Sequence, residues 1–314
     1  MTRFGYCCIS LGVNEGLGKA ERVSVNRGMI KRTFDQRGLG YVSELAVQNL
    51  RDTIRVLEWN LSRGTMVYRL SSDSLPWMTH YRIEDLPGQS DISALLAEIG
   101  KIVLGAGMRV SYHPGPFCVL ASENPDVVSR TVDELDKHSL LMDMMGLPAT
   151  HDFPINIHVG TTRPSLEDAA ARFCHGTRLI GQSCRSRLTV ENDDSPTQFS
   201  VASLHRLVHS RAGVPIVADT LHHACHPDEM DWEQALRLAA STWTTRPMCH
   251  HSSSRKAHED PSAKREAHAD FIYSRFQDHG LDLDVELECK QKDLAAARYL
   301  AEFHGARTPA GLRV

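Results

Sequence analysis

Two stretches decide the fold: Leu188-Thr189-Val190-Glu191-Asn192-Asp193-Asp194 and Pro215-Ile216-Val217-Ala218-Asp219-Thr220-Leu221-His222-His223. Each is a short β-branched, apolar run that ends abruptly in carboxylates or histidines. Runs of this kind read as parallel strands covered on both faces. Outward from them, further strand candidates occur at Phe4–Cys7, Met66–Leu70, Arg109–Tyr112, Ile155–Ile157, Pro247–Cys249 and Leu283–Leu287. With Leu188–Val190 and Pro215–Ala218 they make eight.

Between them lie stretches of helical spacing. Val47, Leu50, Ile54, Leu57 and Leu61 fall on one stripe, as do Val128, Val132, Leu135, Met142 and Met145. Asn124-Pro125 supplies an N-cap and first-turn proline for the second of these. Further helices are expected at 90–106, 166–184, 198–212, 231–241, 267–278 and 291–304. Strands alternating with helices predict a (β/α)8 barrel or an open doubly wound sheet. No GxGxxG or GxxxxGK[ST] follows the first strand, so no nucleotide cofactor is indicated. A single TIM-barrel domain over residues 1–314 is the expected organisation, with irregular loops at 8–40 and 251–266 on the active-site face. Each loop reads equally well as mobile surface or as a substrate contact.

With 41% apolar and 24% charged residues, the composition is that of a globular protein without a membrane span. No signal-peptide pattern follows Met1, so a cytoplasmic location is expected, or a nuclear one in a eukaryote. The eight cysteines contain no CxxC pair and read as reduced thiols. A formal charge of -4 offers no general basic footprint for nucleic acid, which leaves a local basic rim as the route to DNA. Histidine stands out, with 17 copies.

Nearly every strand candidate ends in a group that can bind a divalent cation. Tyr6 ends the first, His113 the third, His158 the fourth and Glu191 the fifth. Asp219 and His222 follow the sixth, His250 and His251 the seventh, and Glu286 and Glu288 the eighth. Alone, any one of these reads more readily as a turn or cap group. Together, at strand ends that converge on one face of a barrel, they form one pocket. Carboxylates there are costly unless paired or metal-bound. A His/Asp/Glu set without clustered Cys suits manganese, zinc or iron. Two or three such ions suit phosphodiester hydrolysis. Asn192, Asp193 and His223 either orient the ligands or are polar turn residues; the pattern does not choose.

The strings Phe4-Gly5-Tyr6, Tyr68-Arg69-Leu70-Ser71-Ser72, His113-Pro114-Gly115, Ile155-Asn156-Ile157-His158, Leu188 to Asp194, Asp219 to His223, Ser262 to Asp270 around His268, and Glu288-Cys289-Lys290-Gln291-Lys292-Asp293 occur in this order. In that order they resemble the UV damage endonucleases, and the helices Glu44–Asn60 and Pro125–Leu147 match as well. The resemblance runs to about residue 300, and the fold it implies is shared with the endonuclease-four and xylose-isomerase-like barrels. It implies up to three divalent ions, usually manganese. Glu191, Asp219, His250 and Glu288 would hold one, His113, His158 and Glu191 a second, and Asp219, His222 and His268 a third. It implies catalytic roles for Glu191, His80, His250, Lys290 and Tyr6, with His80 near the cleaved phosphate and Tyr6 and Lys290 lining the site. Damaged double-stranded DNA would be met by Tyr6, Pro116, Phe117 and Arg163. The reaction implied is cleavage of the phosphodiester immediately 5′ to a pyrimidine photoproduct.

Three departures stand against that family. The family's Gln-Tyr pair that probes the duplex is Pro116-Phe117 here; Phe117 can still wedge between bases, but Pro116 has no amide. Met248 stands where the family has a modified lysine that contributes to the metal cluster, and methionine is a poor ligand for a hard cation. One ion is therefore expected to bind weakly or to be missing. Gly160-Thr161-Thr162-Arg163-Pro164 replaces a Gly-Gly-rich turn, with Arg163 available to a phosphate. Two other readings stay open: a barrel metalloenzyme acting on a small molecule (an isomerase, a phosphoesterase or an iron-dependent oxidative enzyme), and a catalytically silent binder of distorted DNA.

Overall fold

In the computed structural model, residues 1–305 are described. Eight parallel strands, β1 (Arg3–Cys7), β2 (Val67–Arg69), β3 (Arg109–Ser111), β4 (Ile155–Ile157), β5 (Leu188–Glu191), β6 (Ile216–Asp219), β7 (Met248–His251) and β8 (Asp284–Leu287), run in the order β3-β2-β1-β8-β7-β6-β5-β4. A parallel bridge between Tyr112 and Ile155 joins the two end strands. Tyr112 N–H donates to Pro154 O at 3.0 Å and Asn156 N–H to Tyr112 O at 2.9 Å, which completes the ring. The result is a (β/α)8 TIM barrel, and the open-sheet alternative falls away.

The longer helices are α1 (Lys31–Ser62), α2 (Gln89–Ala106), α3 (Pro125–Met144) and α4 (Leu166–Gly176). After them come α5 (Gln182–Arg185), α6 (Val201–Leu204), a π-type turn at His205–His209, α7 (Ser210–Ala212), α8 (Thr220–Cys225), α9 (Trp232–Ala240), α10 (Arg255–His258) and α11 (Lys292–His304). The predicted apolar stripe of α1 packs on the barrel, with Leu50 and Leu57 buried. The predicted cap of α3 is present: the Asn124 side chain accepts from Asp126 N–H, with Pro125 in the first turn. Gly5 is required by the barrel itself, since a Cβ there would stand 1.7 Å from the carbonyl oxygen of Val67 on β2.

Some boundaries differ from expectation. Residues 31–40 are not loop but the start of α1, bent at Gly38, whose φ is 60°. The helix expected at 166–184 is broken between Gly176 and Gln182. No helix forms at 267–278. Its amides are taken by other partners: Asp270 and Phe271 N–H donate to the Glu259 carboxylate, Ala269 N–H to Ser253 O and Tyr273 N–H to Ser253 Oγ. The single-domain reading extends over 306–314, which lie outside the described residues.

At the N-terminal ends of the strands, the barrel is sealed by charge. Asp284 is fully buried on β8 and faces three guanidiniums: Arg3 at 2.7 Å, Arg109 at 3.1 Å and Arg246 at 3.1 Å. Arg109 also donates to the carbonyls of Arg246 and His151, tying β3 to the segments before β4 and β7. Removing the carboxylate's charge leaves the buried Arg109 guanidinium without its counter-charge. Asp284→Asn is therefore expected to lose about 3–5 kcal/mol of stability, read as a lowered urea midpoint.

Candidate metal centre

The strand ends bring Glu191 to the middle of the barrel mouth. Its carboxylate is 1% exposed and is approached by four imidazoles. His113 Nε2 lies 3.1 Å and His158 Nε2 3.8 Å from Oε2, His250 Nδ1 3.0 Å from Oε2, and His222 Nδ1 3.2 Å from Oε1. Burial would raise the Glu191 carboxyl. The His250 and His158 imidazoles, with hydrogen bonds from His113 and His222, instead hold it well below the usual carboxylate range. The reverse holds for His250: burial disfavours the charged imidazole, yet Glu191 helps push it up to about 10. His222 is likewise raised well above its ordinary value, by Asp219 and Glu191 against the pull of burial.

Three groups of donors lie close enough together to hold a cation: His113 with His158 and Glu191; Glu191 with Asp219 and His222; and Asp219 with His250 and Glu288. Asp219 does two jobs. One oxygen accepts from His222 N–H at 2.7 Å, capping α8, and the other, Oδ2, is buried without a hydrogen-bond partner. A buried carboxylate oxygen with no donor is costly. It fits a cation there, as does the hard oxygen and imidazole donor set. His268 is in none of these groups, but its ring centroid lies 6.3 Å from that of His222 and its Nδ1 3.6 Å from Glu288 Oε2.

The remaining expected residues divide clearly. Tyr6 does not line the site: it is fully buried on the helix-facing side of β1, and its hydroxyl donates to Asn60 of α1 at 2.6 Å. Side chains alternate along a strand, so the inward positions beside it belong to Gly5 and Cys7. His80 is exposed in the turn after β2, edge-on to Trp77 with ring centroids 5.1 Å apart. Lys290 is exposed just beyond β8. Phe117 is 88% exposed, next to Pro116, which lines a cleft of about 210 Å³ together with His113, His158 and Asp193. Arg163 is exposed on the loop after β4.

Asn192 orients Asp219, its side-chain oxygen accepting from Asp219 N–H at 2.8 Å. Asp193 Oδ1 lies 3.0 Å from His158 Nδ1. His223 turns away and packs on Trp232, with ring centroids 5.7 Å apart. Met248 is no ligand: it is buried one step below His250, in an apolar cluster with Val67, Val217 and Trp243.

Three buried residues, Asn156, Arg69 and Ser111, escaped the sequence reading of roles, and Glu286 was read there only as a group able to bind a cation. Asn156 Nδ2 donates to Glu191 Oε2 at 2.6 Å. Arg69, Ser111 and Glu286 form a second tier below the ligands. Glu286 was legible in part, since strand alternation puts it on the same face as Glu288.

The family model described as UV-endonuclease UvdE matches residues 2–311. The chain belongs to the UV-endonuclease family. A UV DNA damage endonuclease of Bacillus cereus (strain B4264) is 30% identical over 272 residues, covering 83% of this chain and 82% of that protein. The crystal structure of SacUVDE superposes with a TM-score of 0.84 at 27% identity, covering 98% of this chain and all of that one. Endonuclease IV from Thermus thermophilus, at 16% identity and a TM-score of 0.58, shares the fold, covering 97% of this chain and 100% of that one. Among the described residues of this family member, no helix is long and apolar enough to cross a membrane.

Cation binding needs neutral imidazoles, whereas His250, His222 and His158 are all raised toward the protonated form in the ion-free protein. Uptake of a divalent cation such as manganese is therefore expected to release protons, with affinity rising as the pH rises toward about 10, where His250 loses its proton. Calorimetry in two buffers of different ionisation enthalpy reads this directly; equal heats in both would contradict it.

Proposed function

We propose that this chain is a metal-dependent DNA repair endonuclease that hydrolyses the phosphodiester 5′ to UV photoproducts in double-stranded DNA, with two or three divalent ions, manganese foremost. The observation that carries it is the shared Glu191 carboxylate ringed by four imidazoles at the mouth of this family's barrel. Glu191, Asp219, Glu288, His113, His158, His222 and His250 would hold the ions, with His268 completing the outer edge. When bound, the ions supply polarisation of a phosphoryl oxygen, a more acidic water and stabilisation of the leaving alkoxide.

The chain's own residues set the geometry for this. The Asn156 amide holds one oxygen of Glu191, and Asn192 fixes the backbone of Asp219, so both carboxylates keep their aim. Phe117 projects from the loop after β3, beside the cleft that begins at His113, and suits insertion between bases at a distorted step. Pro116 stiffens that loop but offers no amide, so recognition rests on wedging rather than on a hydrogen bond to a base. Arg163, His80 and Lys290, exposed on loops after β4, β2 and β8, suit contacts with phosphates that flank the cut.

The test is an end-labelled duplex carrying one cyclobutane pyrimidine dimer, incubated with manganese. The expected product is a cut immediately 5′ to the dimer, absent in Glu191→Gln. No cut by folded, metal-loaded protein would sink this reading and shift it to a small molecule in the same pocket. Phe117→Ala is expected to weaken binding to that duplex about tenfold or more, since stacking contributes roughly 1–3 kcal/mol, with manganese content unchanged. An unaltered affinity would remove Phe117 from recognition.

A further inference from the structure

Below the ligand ring lies a buried carboxylate that no group of cation donors includes. Glu286 is fully buried on β8, in register with His250 of β7. Arg69 of β2 reaches it with both Nε, at 2.7 Å, and Nη2, at 2.6 Å from Oε2. Ser111 Oγ donates to its other oxygen. The same Arg69 Nη2 lies 2.5 Å from Glu288 Oε1 and 2.8 Å from His250 Nε2.

The two nitrogens of His250 face different neighbourhoods. Nδ1 points to Glu191 at 3.0 Å and Glu288 at 3.3 Å, on the cluster side; Nε2 points down, 3.3 Å from Glu286 Oε2. An imidazole that gives a lone pair to a cation must carry its proton on the other nitrogen and donate it. Arg69, nearer to Nε2 at 2.8 Å, has only donors, so the neutral ring accepts from it at Nε2 in the ion-free protein. The guanidinium cannot accept the proton that moves to Nε2 once an ion takes Nδ1. Glu286 is the carboxylate below His250 that can.

We propose that Glu286 is a positioning residue of the metal centre: when an ion takes Nδ1 of His250, Glu286 accepts the Nε2–H in place of the Arg69 contact, and it clamps Arg69 beneath Glu288. The proposal rests on the metal-centre reading above and assigns that site its lower tier. Charge supports it as well. Four carboxylates, Glu191, Asp219, Glu286 and Glu288, meet in the barrel interior with one guanidinium, Arg69, among them. Glu286 keeps that guanidinium below the ring, where it offsets the buried negative charge and leaves the upper face open to cations.

The experiment measures manganese affinity and stoichiometry on the full chain for wild type, Glu286→Gln and Glu286→Leu. Gln keeps an acceptor and loses the charge, while Leu loses both. Both folded variants are expected to bind the ion at His250 more weakly, by roughly 10–100-fold, with Leu the weaker. Incision of the dimer-bearing duplex should then recover as manganese is raised, with KM for DNA unchanged; a merely structural lesion would not be rescued by metal. If Glu286→Leu fails to fold, the double variant Arg69→Met with Glu286→Leu removes the whole ion pair and is read instead, with the same weakened binding expected. A folded variant lacking Glu286 that binds manganese with wild-type affinity and stoichiometry overturns the proposal. Wild type that binds no manganese, zinc or iron overturns the metal-centre reading and the proposal with it.

Discussion

The Glu191 carboxylate is the constraint around which the barrel mouth is arranged. Burial of a carboxylate at the end of a parallel strand is expensive, and the protein answers with imidazoles from four other loops and strands. His113 comes from after β3, His158 from after β4, His222 from α8 and His250 from β7. Burial by itself would make His158, His222 and His250 costly to charge. The mutual pairing holds the carboxyl ionised and biases those three imidazoles toward protonation. The ion-free site is thus a set of interdependent charges, in which a divalent cation would take the place of the protons.

Around this centre, the fold separates stability from chemistry. The lower end is closed by Asp284 and its three arginines and by the apolar group of Val67, Val217, Trp243 and Met248. The upper end carries ligands and exposed loops. Between them sits the Arg69–Glu286 pair, which joins the two: it is buried like a core element and touches His250 and Glu288 like part of the site. Met248 on β7 offers the centre no donor, and its side chain belongs to the sealed lower layer.

The loop from Ser253 to Tyr273 shows how local pattern yields to tertiary partners. Residues 267–278 have helix-like composition, but Glu259 accepts from two of its amides and from the Tyr273 hydroxyl. That clasp holds the segment extended and carries His268 to within 3.6 Å of Glu288. A helix there would have satisfied the same amides internally and withdrawn the histidine from the mouth.

By itself, the sequence determined the alternation of short apolar strands and striped helices, and the placement of metal-binding residues at the strand ends. Both are local: strand and helix periodicity is carried by neighbouring residues, and a charge that ends an apolar run is visible in a few letters. What it left open was direction. Adjacent His250 and His251 look alike in sequence, yet the first faces Glu191 while the second points outward, its Nδ1 and Nε2 engaged by Thr220 Oγ1 and Ser274 O. His222 and His223 divide in the same way, and Tyr6, beside a glycine that faces inward, points to α1 instead. Closure of the ring by the Tyr112–Ile155 bridge, and the meeting of Arg69 with Glu286 across 217 residues of chain, were decided only in three dimensions. Such pairs depend on the tilt and register of strands distant in the chain, which no local pattern of residues encodes.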